Sequence, residues 1–517
     1  MPLSSADTVG TAPQSSPHPA PRARRPALAL ATVLLAAFVV PTAVAGTALA
    51  VPAIGADLDA AVAPLQWVLN GFNVTFACFT LVWGSAADRI GRTRAFVLGA
   101  ALYAGASVLS AVAPTIVVLD VARALAGIGG AAVFTCGSAI LAALYSGPAR
   151  MRAFALFGTV SGVGIAFGPL LSGALLATLG WRWIFAVHAG ALLVVLAAVP
   201  LVMPVEPAAQ RRRAPGDPVG SILFIVAMLL LTCGIVQASV WGWTGAGTVA
   251  LLGASALAFV TFAVLEARHP SPVLDVRMLR NPRYLAFCLV PVVASFGFIT
   301  LLTFLPTHLA AVGGYSSGQT GLILLLLTAP MLVLPLAAAA LMSRGVRAST
   351  IVIISLLLIV AGDAGLALLE PGASLTVLAL PLIAVGTGMA FCAGVVDGQA
   401  LAMVPADQAG MAAGFLNTLR LGSEAVAVAV FGSVVATVLA DSVASRLGSV
   451  VDVDAAVAGN LDEAGASAPA SGQPGVLAEL RLLYDSAFDQ ALWLSAGAGL
   501  LMAVVIVTLF RSRRPAR

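Results

Sequence analysis

Charge is what this 517-residue chain has least of. Asp, Glu, Lys and Arg together make up 9% of it, against about 25% in an ordinary soluble domain. So few charges cannot cover a water-facing surface of normal size. That excludes a soluble enzyme and, despite a net charge of +4, a nucleic-acid-binding protein. Lysine is absent, and all 26 basic residues are Arg. The five cysteines, Cys78, Cys136, Cys233, Cys288 and Cys392, each fall in an apolar stretch and share no CxxC spacing. They read as small buried hydrophobes, which leaves no expected disulfide or thiolate metal site. The four His form no HExxH and no paired ligand spacing, so no metal centre is expected. No GxxxxGK[ST] phosphate loop occurs either, which removes nucleotide hydrolysis as an energy source.

Apolar length is what the chain has instead. Hydrophobic residues make up 60% of it, enough for about fourteen bilayer crossings of ~22 residues. The pattern predicts fourteen helical spans, from 27–53 to 486–510. The run Ala27–Ile54 follows Arg22, Arg24 and Arg25. It is too long for a signal-peptide core and long enough to span. The expected order is a cytosolic tail (1–26), a six-helix half (27–203) and a linker (204–218). Two further spans (219–266) precede a second six-helix half (283–510) and a short tail (511–517). Residues 441–485, rich in Ala, Gly, Ser and Asp, form an external loop in this reading. Arg placement sets the orientation. With both ends inside, 21 of the 26 Arg fall in inside loops and tails, and only Arg182, Arg446 and Arg481 fall outside. Such asymmetry marks the cytosolic side.

The halves also repeat weakly. GSAADRIGRTR (84–94) follows span 2, and AAALMSRGVRA (338–348) follows span 10. Both give a short basic turn, as in transporters built from two rocking repeats. The first segment is the sharper motif: Gly84, Asp88, Arg89, Gly91 and Arg92 stand in the order Gly-x-x-x-Asp-Arg-x-Gly-Arg. It resembles the signature of the major facilitator superfamily. The resemblance implies that the acid and Arg of this loop latch two halves on the cytosolic side. LDVARALAGIGGAA (119–132) resembles the family's helix-4 motif, with Arg123 as its arginine and Ala126 where Gln is common. GVGIAFGPLLSG (162–173) resembles the antiporter motif, with Gly164, Gly168, Pro169 and Gly173. Ser161, Gly164, Gly168 and Ser172 share a helical face, which packing alone would also favour. GWRWIF (180–185) resembles the entry to helix 6, with His188 where Asn is common. FLPTHLAAVGGYSSGQTG (304–321), GMAAGFLNTLRLGSEA (410–425) and the two central spans resemble the fourteen-span drug:proton antiporters. That subgroup often carries an Asp in helix 1, and this chain has none there.

A proton-coupling acid must then lie elsewhere. Charge at mid-membrane costs about 2.5–3.5 kcal/mol on insertion scales, which singles out Asp120, Asp363, Asp397 and Glu424. Asp120 and Arg123 are three apart, and Arg420 and Glu424 four apart, so each pair shares a helical face. Either these are ion pairs that only neutralise each other, or the acid changes partner as substrate enters. The resemblance puts spans 1 and 4 of each half around a central cavity. That ranks Asp120 first and Glu424 second, with Asp397 interfacial and Asp363 peripheral. Candidate aromatics for the cavity are Trp67, Phe72, Phe76, Phe134, Phe298, Phe304 and Phe391.

The reading is an all-α integral membrane protein of the major facilitator fold that exports hydrophobic small molecules by proton antiport. It would be a monomer in the cell membrane with both termini cytosolic. It would use bilayer, substrate and proton gradient, with no nucleic acid and no cofactor. A nutrient importer or facilitator, or a non-transporting sensor of the same fold, stands as the alternative. An intramembrane enzyme lacks any nucleophile–base constellation.

Overall fold

The computed structural model describes residues 25–60, 62–203, 216–370, 374–447, 451–457, 459–461, 464 and 475–512. The tails at 1–24 and 513–517, most of the linker and much of 448–474 lie outside the described residues. Among the described residues, fourteen helices are long and apolar enough to cross a membrane. The first six are α1 (Pro26–Leu58), α2 (Pro64–Ile90), α3 (Arg92–Ala111), α4 (Ile116–Leu144), α5 (Gly147–Thr178) and α6 (Arg182–Val202). The central pair is α7 (Pro218–Ala238) and α8 (Ala246–Glu266). The last six are α9 (Pro282–Ala311), α10 (Gly318–Ser343), α11 (Ala348–Leu366), α12 (Leu375–Ala402), α13 (Ala406–Arg446) and α14 (Val476–Arg511). Among the described residues there is no strand. Helices satisfy their own backbone groups, as a bilayer interior requires.

Local chemistry sets the helix ends. Thr115, Asp217 and Asn281 cap α4, α7 and α9 through side-chain oxygens, and Ser316 with Gln319 forms a capping box for α10. Gly91 turns the chain between α2 and α3 at φ 103°, a value that favours glycine. Lipid-facing side chains such as Val194, Leu257 and Leu380 are exposed, while Phe96, Tyr103 and Phe154 are fully buried in the first half. The central pair packs on α2 through Phe224, Phe262 and Cys78.

Three features depart from the sequence pattern. First, α13 runs to Arg446 and α14 begins at Val476, so helix occupies both ends of the expected 441–485 loop. Second, α9 contains a π-helical segment, Ser295–Ile299. Third, α12 breaks at Ala393–Gly394 into Leu375–Cys392 and Val395–Ala402.

Candidate functional site

A cavity of about 900 Å³ lies between the halves, walled by α1, α2, α4, α5, α9, α10, α12 and α13. Its wall is mostly apolar: Val40, Pro41, Phe76, Phe134, Phe157, Ile165, Leu324 and Met331 contribute. The charged side chains on it are Asp397, Arg420 and Glu424. Arg420 lies eleven residues past Ala409, where the α-helical part of α13 begins after a 3-10 turn, about 16 Å along the axis. That is near the middle of a membrane some 30 Å thick.

The break in α12 builds this polar end. Gly394 has φ 77°, and a Cβ there would lie 2.4 Å from the carbonyl oxygen of Phe154 on α5. Only glycine fits both the backbone and the gap. The break makes Val395 the start of a new helical piece, with Asp397 in its first turn, where the helix dipole favours a carboxylate. Arg420 donates from one Nη to Asp397 Oδ2 at 2.8 Å and from the other to Asn417 Oδ1 at 2.9 Å. Glu424 forms no ion pair among the described residues. Thus the pair expected within α13 is not made: Arg420 turns away from Glu424 to an acid 23 positions earlier on another helix. Asp397, expected at the interface, is buried in the site.

The expected Asp120–Arg123 pair is also absent. Arg123 is 1% exposed and donates through Nε to the Val68 carbonyl at 3.0 Å. It lies over Phe72 at 4.6 Å and near Phe185 at 5.5 Å. Cation–π contact and a carbonyl thus hold the guanidinium. Asp120 Oδ1 is buried without a hydrogen bond, and Asp120 does not line the cavity. Of the named aromatics, Phe76 and Phe134 line the cavity, as does Phe157, which sequence reasoning missed. Phe72 and Phe298 are fully buried, Trp67 is 37% exposed, Phe304 stacks on Phe431 at 5.1 Å, and Phe391 packs against the core.

The Gly84–Arg94 loop closes one end. Asp88 accepts backbone N–H groups of Gly410 at 2.9 Å and Met411 at 2.8 Å. Arg92 pairs with Asp88 at 3.3 Å and donates to the Ala406 carbonyl. An acid of the first half therefore caps the start of α13 in the second. Gly84 permits it, since a Cβ there would lie 2.2 Å from the Gly410 oxygen. Arg89 donates to the Ser271 carbonyl at 3.1 Å, tying the segment between α8 and α9 to the gate loop.

Contact between the halves continues from this loop inward and then ends. Thr80 and Thr418 hydroxyls meet at 2.8 Å, Gly158 abuts Ala393, and Gly162 abuts Met331. Beyond them, Asn73, Ile165 and Pro169 face the cavity. The cavity is thus closed at the gate-loop face and extends toward the opposite face. The small-residue stripe of α5 serves α1: Gly164 lies against Pro41 and Gly168 against Thr42. Gly173 makes no such close approach, its nearest neighbour being Leu49 at 3.9 Å from a Cβ position.

Known proteins share this build. The Multidrug resistance protein Stp of Mycobacterium tuberculosis is 31% identical over 389 residues, 74% of this chain and 71% of that protein. The Tetracenomycin C resistance and export protein of Streptomyces glaucescens is 29% identical over 478 residues, 90% of this chain and 88% of that protein. The crystal structure of the human organic anion transporter MFSD10 (TETRAN) matches with a TM-score of 0.61 at 17% identity, over 93% of this chain and 99% of that one; at that identity it speaks for the fold. The profile described as Major Facilitator Superfamily matches residues 33–428. Two halves joined through an Asp88 cap, a central cavity closed at one end and that match lead to one assignment: the chain is a transporter, not an enzyme, and belongs to the major facilitator superfamily.

Proposed function

We propose that the chain exports hydrophobic small molecules from the cell in exchange for protons. The observation that carries this is the cavity itself: an apolar chamber whose charges, Asp397, Arg420 and Glu424, cluster on one wall near mid-membrane. Relatives named for tetracenomycin C export and puromycin resistance support drug-like cargo. The Arg asymmetry supports a cytosolic gate loop and cytosolic termini, so the cavity opens outward in this state.

The exchange follows from charge accounting. With Arg420 held by Asp397, Glu424 is the carboxylate on the apolar wall that makes no salt bridge among the described residues, although Arg420 remains near it on the same helix. Its charge is costly there, and a proton arriving from outside removes that cost. Protonation of Glu424, or of Asp397 with release of Arg420, changes the charge at the α12–α13 contact. Such a local change can bias a two-state rocking equilibrium. Asp120, off the cavity wall and unpaired with Arg123, has no part in this exchange.

Cells with and without the chain, exposed to a panel of dyes, antiseptics and antibiotics, test the direction. Protection is expected for export, and a growth requirement for an added nutrient would point to import. In inverted vesicles, Glu424→Gln is expected to abolish dye accumulation driven by a pH gradient, while Asp120→Asn retains it. The reverse result would return the coupling role to Asp120.

A further inference from the structure

One ionisable group is buried deeper than the cavity cluster, and export as described above does not use it. Asp363 on α11 is 1% exposed, and its Oδ1 has no hydrogen-bond partner. It faces the π-helical segment of α9, for its Oδ2 lies 2.8 Å from where a Cβ on Gly297 would sit. Ser495 on α14 is 2% exposed, and its Oγ is likewise unpartnered.

The helix register puts these groups in one layer. Gly499 of α14 meets both Val360 of α11 and Val293 of α9. Gly297 and Asp363 lie one turn beyond Val293 and Val360 on helices leading away from the gate. Ser495 lies one turn from Gly499 in the same direction, because α14 runs antiparallel. Three helices thus enclose a carboxyl and a hydroxyl, each short of a partner.

Among the described residues no cation pairs with this carboxyl. The ionisable groups on the helices packed against it are Cys392 and Asp397 on α12, Arg283, Tyr284, Cys288 and His308 on α9, and Glu479, Arg481, Tyr484, Asp485, Asp489 and Arg511 on α14. Arg283 and Arg511 stand at the gate-side ends of their helices and Arg481 near the opposite end of α14, all helical turns away from the Asp363 layer. Asp397 is bound to Arg420, and His308 Nε2 to Asp485 at 2.8 Å. An ionised carboxylate buried without a partner is far too costly to persist. The ligand that removes the charge, and needs no more room than the layer offers, is a proton.

The layer adjoins the transport site through one wall. Ser295 and Ile299, at either end of the π-helical segment, line the cavity, while Gly297 between them faces Asp363. Ser295 Oγ also meets Ser423 Oγ at 2.9 Å, next to Glu424 on α13. Single-turn π segments recur at functional sites. We propose that Asp363 is a second proton-binding site, lying behind the π-helical wall of the cavity and loaded or emptied only when that wall rearranges. This rests on proton antiport for its role in the cycle, but the site itself can be read without transport.

Infrared spectroscopy of the purified full chain in lipid nanodiscs tests it. Wild type should show a protonated-carboxyl C=O band that Asp363→Asn removes and Glu424→Gln keeps. The band should disappear reversibly as pH is raised, equally in sodium and choline chloride. Ser495→Ala, a smaller change, should shift the band's frequency without removing it, which keeps the test open if Asp363→Asn does not fold. A band that is unaltered by both variants, or that never titrates while the protein stays folded, overturns the proposal. Loss of the band only in sodium would mean a metal-cation site and also overturns it. Glu424→Gln dye transport fails or survives independently of this band, so the two readings can be told apart.

Discussion

Arg420 has two ways to satisfy its charge, and the fold chooses the one that sequence spacing hides. Glu424 is four residues away on the same helix, and Asp397 is on another helix altogether. The intrahelical geometry allows the first contact, but the α12 break carries Asp397 to 2.8 Å. Side-chain spacing along one helix was legible in the sequence, whereas pairing across helices depends on where a neighbouring helix bends. Asp120 and Arg123 teach the same lesson, since aromatic faces and a backbone carbonyl hold the arginine instead. A test follows from the cost of leaving one buried charge alone, about 3–5 kcal/mol. Arg420→Gln should lower the thermal midpoint markedly, and adding Asp397→Asn should recover most of that loss. Additive losses in the double variant, measured by thermal unfolding in detergent, would mean that the pair is not coupled.

At the scale of the helix, fourteen spans and their order were readable from apolar length, because a bilayer demands about 20 residues of each. Breaks within spans were not. Gly394 sits inside an uninterrupted apolar run, and Pro41, Pro169 and Pro381 lie within helices that continue through them. What distinguishes Gly394 is a neighbour, the Phe154 carbonyl on α5, that no local pattern announces. Similarly, the α5 stripe was visible as small residues, but its partner, Pro41 on α1, was not. Gly394→Ala should therefore be strongly disruptive, since it meets both a close backbone carbonyl and a positive φ. A left-handed backbone costs a non-glycine residue about 1–2 kcal/mol, and the clash with Phe154 adds to it. The expected result is a lower thermal midpoint together with reduced dye export, as Asp397 shifts from Arg420. Gly253→Ala on α8, where nothing lies within 4 Å of a Cβ, should leave both unchanged.

At the scale of the whole molecule, the two halves meet along α2 and α13 and along α5 with α10 and α12, and they part beyond Thr80–Thr418 and Gly162–Met331. The loop motif makes a latch expected, and in the structure its carboxylate, Asp88, caps a helix in the other half. Orientation rests on Arg placement, so it needs its own measurement. A cysteine at Asn460 should react with an impermeant maleimide added outside, and one at Arg212 should not; the opposite pattern would invert the topology. With the side known, the latch itself can be read. Asp88→Asn keeps the shape of the cap but removes the charge that accepts two backbone N–H groups and pairs with Arg92. Loss of a charge-assisted cap costs about 1–2 kcal/mol, which is roughly tenfold in population. The loss falls on the gate-closed state alone, so the equilibrium shifts toward states whose cavity faces the gate side. A reporter cysteine at Asn73, on the cavity wall, should then label more slowly from outside in Asp88→Asn than in the otherwise unaltered chain. Since the change acts on populations and not on cavity contacts, export of chemically different substrates should fall by a similar factor. Unchanged labelling with impaired export of only some substrates would mean that Asp88 acts on cargo and not as a latch between the halves.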